Sequence, residues 1–165
     1  MAGPGFALRC LAASTGEVEW HNESAVNAMI VGCGRIGSRL AVELANQHHQ
    51  VTLIDRNPTS FAQAQSRGVL PGDFSGSIVV GDGTDTDTLR RAGISDVQWF
   101  AALTEGDNRN IMSAQIAKVV FEVPTVVCRI ADPIRERAYR KMGLRVFCPT
   151  ILGVQVVQSL LEQED

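Results

Sequence analysis

The sequence predicts an α/β domain built on a doubly wound parallel sheet, and three observations support this. First, from Ala28 onwards, short apolar runs alternate with stretches of helical period. Second, the first apolar run leads directly into a Gly-x-Gly-x-x-Gly turn formed by Gly32, Gly34 and Gly37. Third, the next run, V-T-L-I-D, ends on the acid Asp55. Turn, helix, strand and acid in this order predict a site for a dinucleotide or an adenine nucleotide.

Each apolar run is expected to form a strand, and each segment between two runs a helix. Strands are expected at residues 28–32, 51–55, 77–81, 99–103, 125–129 and 146–148. Helices are expected at residues 35–46, 60–65, 86–92, 108–121, 134–142 and about 151–161. Right-handed crossovers between these strands give a Rossmann-like, six-stranded sheet that ends in a C-terminal crossover helix.

Length and composition indicate one core domain. Of the 165 residues, 45% are hydrophobic, which is enough for one sizeable core. Residues 1–26 show no sustained period and are interpreted as an N-terminal extension. Residues 27–150 are interpreted as the nucleotide-binding domain, and residues 151–165 as a C-terminal helix that forms a dimer interface.

Charge and hydropathy exclude several kinds of partner. The net charge is −3 without a basic block, which argues against nucleic acid. No apolar run approaches the ~20 residues that span a bilayer, so direct membrane insertion is not expected. The N-terminus also lacks the pattern of a secretory signal, and the sequence therefore predicts a cytoplasmic location.

The glycine turn is expected to hold phosphate. Gly32 permits the tight turn, Gly34 leaves room for a pyrophosphate, and Gly37 lets the helix pack closely. Backbone N–H groups at the helix start then face the anion, with the positive end of the helix dipole behind them. Arg35 projects at this point and can reach a phosphate; the alternative is a solvated arginine. Ile36, inside the turn, is included among the candidate site residues.

The acid at the end of the second strand is expected to select the sugar of the ligand. Asp55 can accept hydrogen bonds from both ribose hydroxyls of an adenosine. Because a carboxylate repels a 2′-phosphate, NADP is expected to bind worst. Arg56, the next residue along the rim, is also a candidate site residue.

The third strand ends in the turn G-D-G-T-D, which lies on the edge of the sheet where such folds bind ligands. Asp82 and Thr84 are candidates for contact with the adenine or the ribose, and Gly83 lies between them. The alternative is that Thr84 or Asp85 caps the following helix.

Polar residues also follow the fourth and fifth strands. Thr104 is a candidate for contact with the phosphates or with the second half of a dinucleotide. The alternative is that Thr104 or Asp107 caps the next helix. Arg129 ends the fifth strand, where a buried charge needs a partner, so it pairs with an acid or contacts a bound phosphate.

The sequence offers few residues for catalysis. A nicotinamide oxidoreductase needs a substrate pocket and a proton donor, yet only residues 149–165 follow the last strand. His48 and His49 fall at the opposite end of the sheet from the nucleotide. No catalytic residue and no metal ligand is assigned, and we interpret the protein as a sensor or binding module. The alternatives are a small NAD-dependent oxidoreductase or redox-regulatory protein that uses Cys33, and a structural component with a vestigial site.

Motifs beyond the glycine turn point to a specific family. The chain closely resembles the RCK, or TrkA N-terminal (TrkA-N), domains that regulate potassium channels and transporters. The resemblance covers about residues 28–153. The matching motifs are G-C-G-R-I-G, the acid at Asp55, G-D-G-T-D, L-x-x-A-G-I, T-E-G-D-N-R-N, C-R-I, and M-G followed by V-F-C-P.

This resemblance implies a cytoplasmic regulatory subunit at the inner face of the plasma membrane, which binds NAD(H) or an adenine nucleotide such as ATP, ADP or AMP. Such domains pair through their edges and last helix, and they form rings beneath a potassium-translocating membrane protein. By resemblance, Gly32, Gly34, Arg35 and Gly37 hold the phosphates. Asp55 binds the ribose, and Asp82 and Thr84 flank the adenine.

Two features of the C-terminal region bear on assembly. Family members that bind ATP with a bridging cation commonly carry Pro-Glu where this chain has Pro149 and Thr150, so cation bridging is not expected. The final helix is broadly apolar and is expected to pack across a dimer interface. The alternative is that it folds back on its own sheet.

Overall fold

A computed structural model describes residues 25–162, and the extension predicted over residues 1–26 falls almost wholly outside them. Within this range the strands are β1 (Asn27–Val31), β2 (Gln50–Asp55), β3 (Ser77–Val80), β4 (Trp99–Ala102), β5 (Thr125–Arg129) and β6 (Arg145–Phe147). The helices are α1 (Arg35–Asn46), α2 (Thr59–Ser66), α3 (Thr86–Arg91), α4 (Asp107–Gln115), α5 (Pro133–Lys141) and α6 (Pro149–Glu162). No described helix is long and apolar enough to cross a membrane.

The strands form one parallel sheet in the order β3-β2-β1-β4-β5-β6, which confirms the predicted fold class. The chain builds one half of the sheet outwards from β1 and then returns to build the other half from β4. Val31, at the end of β1, pairs with Ile54 on one side and Ala102 on the other. The two halves therefore diverge at the carboxyl ends of β1 and β4, which is where ligands of such sheets bind.

The apolar runs are nearly continuous because both faces of the sheet are covered. Met29 and Phe100 point to the face covered by α3 and α4, and both are fully buried. Ile30 and Leu53 point to the opposite face, in a second core cluster with residues of α1 and α2. The helices packed on both faces of the sheet therefore fix the carboxyl ends of β1 and β4 in place.

The helix after β4 differs from its predicted form. Residues 108–121 were expected to form one α-helix, but α4 ends at Gln115 and a π-helical turn over Ile116–Val120 follows. The N–H of Phe121 accordingly bonds to the carbonyl of Ile116, 3.3 Å away. The wider turn returns the chain towards the core, where Val123 is buried.

Helix α6 begins at Pro149, so the domain boundary predicted after residue 150 falls in its first turn. No residue of α6 is buried, and the alternative that this helix folds back on its own sheet is wrong for this structure. Its large apolar side chains are 46% to 80% exposed from Leu152 to Leu161. The helix therefore leaves an uncovered apolar surface.

Candidate functional site

A groove of about 640 Å³ lies at the point where the two halves of the sheet diverge. This volume is in the range of small-molecule and cofactor sites. Most of the predicted site residues line it: Gly32, Gly34, Arg35, Ile36, Asp55, Arg56, Asp82, Gly83, Thr104 and Arg129. Gly37 and Thr84 are not among its lining residues.

The three glycines of the turn have different surroundings. Gly32 has a φ of +110°, and a Cβ there would lie 2.9 Å from the backbone of Leu103. A Cβ on Gly37 would lie 1.9 Å from the carbonyl oxygen of Gly32, so this glycine lets α1 pack on the turn. A Cβ on Gly34 would meet no atom within 4 Å. Gly34 therefore faces open space on the groove side, as expected where a phosphate approaches the backbone.

Asp55 is held at the end of β2 by two backbone donors. The N–H of Cys33, inside the glycine turn, donates to Oδ2 at 2.8 Å. The N–H of Asn57 donates to Oδ1 at 2.8 Å. Each carboxylate oxygen keeps a further lone pair, so Asp55 can still accept from two ribose hydroxyls.

The turn after β3 is organised around Asp82. Its Oδ1 accepts hydrogen bonds from the N–H and the hydroxyl of Thr84, at 2.9 and 2.8 Å. The backbone bond from Thr84, its hydroxyl and the nearby Arg109 and Arg56 together hold the pKa of Asp82 below its ordinary value. Asp85 caps α3 by accepting from the N–H groups of that helix. Because its hydroxyl donates to Asp82, Thr84 is used within the turn itself.

The polar residues after β4 and β5 bond mainly to one another. The hydroxyl of Thr104 donates to Oδ1 of Asn110 at 2.7 Å, and Gly106 occupies the N-cap position of α4. Arg129 donates from Nη1 to the carbonyl oxygen of Thr104 at 2.9 Å, and it also lines the groove. Neither of the helix caps proposed for this loop from the sequence is present.

The loop after β5 joins the groove to the start of α6. Asp107 accepts hydrogen bonds from the N–H groups of Ala131 and Asp132, at 2.9 and 3.3 Å. The carbonyl oxygen of Ala131 accepts from the hydroxyl of Thr150 at 2.7 Å. Ala131 is therefore bonded to α4 on one side and to the first turn of α6 on the other.

Two arginines outside the set of predicted site residues also line the groove. Arg67 follows α2, and Arg109 lies in the first turn of α4. Ligands of such sheets are expected at the ends of strands, whereas these side chains reach the groove from helices. With Arg35, Arg56 and Arg129, the lining holds five arginines against the acids Asp55, Asp82 and Glu105. This excess of positive charge favours an anionic ligand.

The thiol of Cys33 is buried within the turn. Its side chain is 1% exposed, and Sγ donates to the carbonyl oxygen of Ser60 at 3.7 Å. Burial, and next the charge of Asp55, raise its pKa from 9.0 to about 11. Cys128 and Cys148 are also free and buried. Cys10 lies outside the described residues. No group of three potential metal ligands converges within residues 25–162.

We expect Cys33 of the native protein to resist iodoacetamide at pH 7.5. With a pKa of about 11, only about one thiol in a few thousand is ionised at this pH, and the thiolate is the nucleophile. Peptide mass spectrometry of native and urea-unfolded protein gives the measurement. Rapid alkylation of native Cys33 would contradict this burial.

The raised pKa of Cys33 also affects stability at high pH. Between pH 9.0 and about 11 the thiol ionises freely only in the unfolded state, so we expect the free energy of unfolding to fall as the pH rises through this window.

A doubly wound sheet with a glycine turn and an acidic second strand defines the class of Rossmann-like nucleotide-binding domains. The model of the TrkA-N domain family matches residues 28–149. The chain belongs to this family, which confirms the resemblance drawn from the motifs.

Named relatives support the same assignment. The chain is 44% identical over 130 residues to a Trk system potassium uptake protein TrkA of Streptomyces coelicolor, covering 79% of this chain and 54% of that protein. It is 33% identical over 134 residues to a TrkA homolog of Methanothermobacter thermautotrophicus, covering 81% of this chain and 59% of that protein. The chain thus spans little more than half the length of these relatives.

Solved structures share the fold. The TrkA-N domain of the inner membrane protein ybaL from Escherichia coli aligns with a TM-score of 0.69 at 17% identity, covering 86% of this chain and 100% of that one. GsuK bound to ADP aligns with a TM-score of 0.67 at 25% identity, covering 83% of this chain and 34% of that one. A Kef C-terminal domain from Shewanella denitrificans in an AMP-bound form aligns with a TM-score of 0.65 at 20% identity, covering 84% of this chain and 83% of that one.

Proposed function

We propose that this chain is a nucleotide-sensing regulatory part of a potassium uptake system. It binds NAD(H) or an adenine nucleotide (ATP, ADP or AMP) in the groove at the end of β1 and β4. It catalyses no reaction. Binding changes the conformation of a homo-oligomer, a dimer or a ring, which gates a potassium-translocating membrane protein from the cytoplasmic side.

The groove carries the proposal. It combines an open approach to Gly34, a fixed ribose acceptor in Asp55 and five arginines, which together match a phosphorylated nucleoside. No side chain caps the start of α1, so the first N–H groups of this helix remain as donors for phosphate.

The relatives and the exposed helix support the wider role. The named relatives are potassium uptake proteins, and GsuK binds ADP in one solved structure and NAD in another. The apolar surface of α6 is of the kind that is covered by a second subunit. The rival hypothesis, an oxidoreductase that uses Cys33, is weakened by the raised pKa of that thiol.

Calorimetry with NADH, NADPH, ATP, ADP and AMP tests the binding step. We expect at least one adenine nucleotide to bind. NADPH should bind more weakly than NADH because its 2′-phosphate would approach the carboxylate of Asp55. Tighter binding of NADPH would contradict the role of Asp55. Absence of heat with all five would remove the binding function, and steady oxidation of NADH with a small carbonyl compound would favour the oxidoreductase.

Replacing Asp55 by Ala is expected to weaken nucleotide binding by about 1.5–3 kcal/mol, roughly tenfold to a hundredfold. The substitution removes the acceptor for the ribose and the two backbone bonds that fix it. The matched control is Asp73→Ala, because Asp73 is exposed and does not line the groove. Equal affinities of Asp55→Ala and Asp73→Ala for ADP would contradict the assignment.

A further inference from the structure

Asn110 is a fully buried amide that lies behind the groove in α4 and is not among the groove's lining residues. Its Oδ1 accepts from the N–H and the hydroxyl of Thr104, at 2.8 and 2.7 Å. Its Nδ2 donates to the carbonyl oxygens of Thr104 and Arg129, both at 2.9 Å. An amide side chain can accept two hydrogen bonds and donate two, so Asn110 is fully used.

Arg129 depends on the same carbonyl oxygen. Its Nη1 donates to the Thr104 carbonyl at 2.9 Å, and Nδ2 of Asn110 donates to that oxygen as well. Asn110 therefore fixes both ends of Arg129, the main chain through its carbonyl oxygen and the guanidinium through Thr104. A guanidinium has five N–H donors, and the others remain available to the groove that Arg129 lines.

We propose that Asn110 is a positioning residue for the nucleotide, because it fixes the Thr104 carbonyl on which the Arg129 guanidinium rests and so sets where that guanidinium meets phosphate. This inference rests on the proposed function, since it assigns a phosphate to Arg129. The arrangement restricts the rotamers of a long side chain before the ligand arrives, which is the physical content of preorganisation.

Only an amide of this length meets all four partners. An aspartate has the same shape and keeps both acceptors, but it cannot donate to the carbonyls of Thr104 and Arg129. Its buried carboxylate would face both oxygens and attract the Arg129 guanidinium into the core. Asn110→Asp therefore redirects Arg129 while changing the volume of the side chain very little.

The test compares the affinities of the folded protein for ADP and for adenosine, by calorimetry and by NMR titration. We expect Asn110→Asp to lower the ratio of the two affinities by about tenfold or more, with adenosine binding within about twofold of wild type. The control is Glu136→Gln, since Glu136 is buried in α5, pairs with Arg140 and is not among the groove residues. This control should leave the ratio unchanged.

A double-mutant cycle separates positioning from a general loss of structure. In the Arg129→Ala background, Asn110→Asp should no longer change the ratio, because the guanidinium it positions is gone. A loss that persists in that background, or an equal loss for adenosine and ADP, overturns the proposal. If Asn110→Asp does not fold, Asn110→Ala replaces it, since it removes both Nδ2 donors without placing a charge in the core and leaves every groove residue in place.

The wild-type titration keeps the two proposals apart. If wild type binds neither ADP nor adenosine, the proposed function fails and this inference fails with it. If wild type binds ADP better than adenosine and Asn110→Asp preserves that preference, only the role of Asn110 is overturned.

Discussion

Gly34→Ala is expected to fold like wild type and to bind ADP about a hundredfold more weakly, a loss of about 3 kcal/mol. The new Cβ would meet no protein atom within 4 Å, and the φ of Gly34 is −79°, which alanine adopts readily. The methyl group would instead occupy the space through which a phosphate reaches the N–H groups of α1. Calorimetry for affinity and thermal unfolding for stability give the two measurements.

Gly37→Ala, three positions along the chain, is the matched control. It is expected to lower the stability of the fold, which Gly34→Ala should not do. Its Cβ would lie 1.9 Å from the carbonyl oxygen of Gly32, a backbone atom that cannot move without disrupting the turn. We expect a loss of unfolding free energy on the order of 3 kcal/mol or more. If Gly34→Ala binds ADP as tightly as wild type, no phosphate binds against the backbone at Gly34. Wild-type stability in Gly37→Ala would contradict the close packing of α1.

Val157→Glu is expected to dissociate the proposed homodimer, weakening association by about 3 kcal/mol, roughly a hundredfold. Val157 is 55% exposed in the single chain and lies in the apolar part of α6. A carboxylate at this position costs little in a monomer but must be desolvated when a second apolar helix covers it. Sedimentation velocity over a concentration series gives the measurement.

The control for this experiment is Gln158→Glu. It adds the same charge one position along, on the polar side of α6. We expect Gln158→Glu to sediment like wild type, and both variants to unfold within about 0.5 kcal/mol of wild type because both positions are exposed. If Val157→Glu associates as strongly as wild type, α6 is not the dimer interface.

The strands and the glycine turn could be predicted because local chemistry determines them. Short continuous apolar runs between polar segments are typical of strands covered on both faces, and Gly32 and Gly37 occupy positions that a Cβ would disrupt. The acid at Asp55 was predictable for the same reason, since it ends the run that pairs with β1. The directions in which polar side chains point could not be predicted.

Thr84 and Thr104 illustrate this limit. Both follow strands on the ligand edge, yet both hydroxyls bond to neighbouring side chains, Asp82 and Asn110. A hydroxyl at a strand end can face a ligand or its own loop, and the choice depends on side chains that the fold brings close. Arg67 and Arg109 were missed for the related reason that helix packing, which the sequence pattern does not specify, brings them to the groove.

The bond between Thr150 and Ala131 ties the first turn of α6 to the loop that follows β5. Ala131 follows Arg129 by two residues, and the fourteen residues of α6 extend over about 21 Å. A tilt of about 5° at the first turn would carry the far end of such a rod through about 2 Å. A displacement of this size is large for closely packed helices. A small change of angle at the first turn of α6 would therefore alter the packing of its apolar C-terminal part against a second helix.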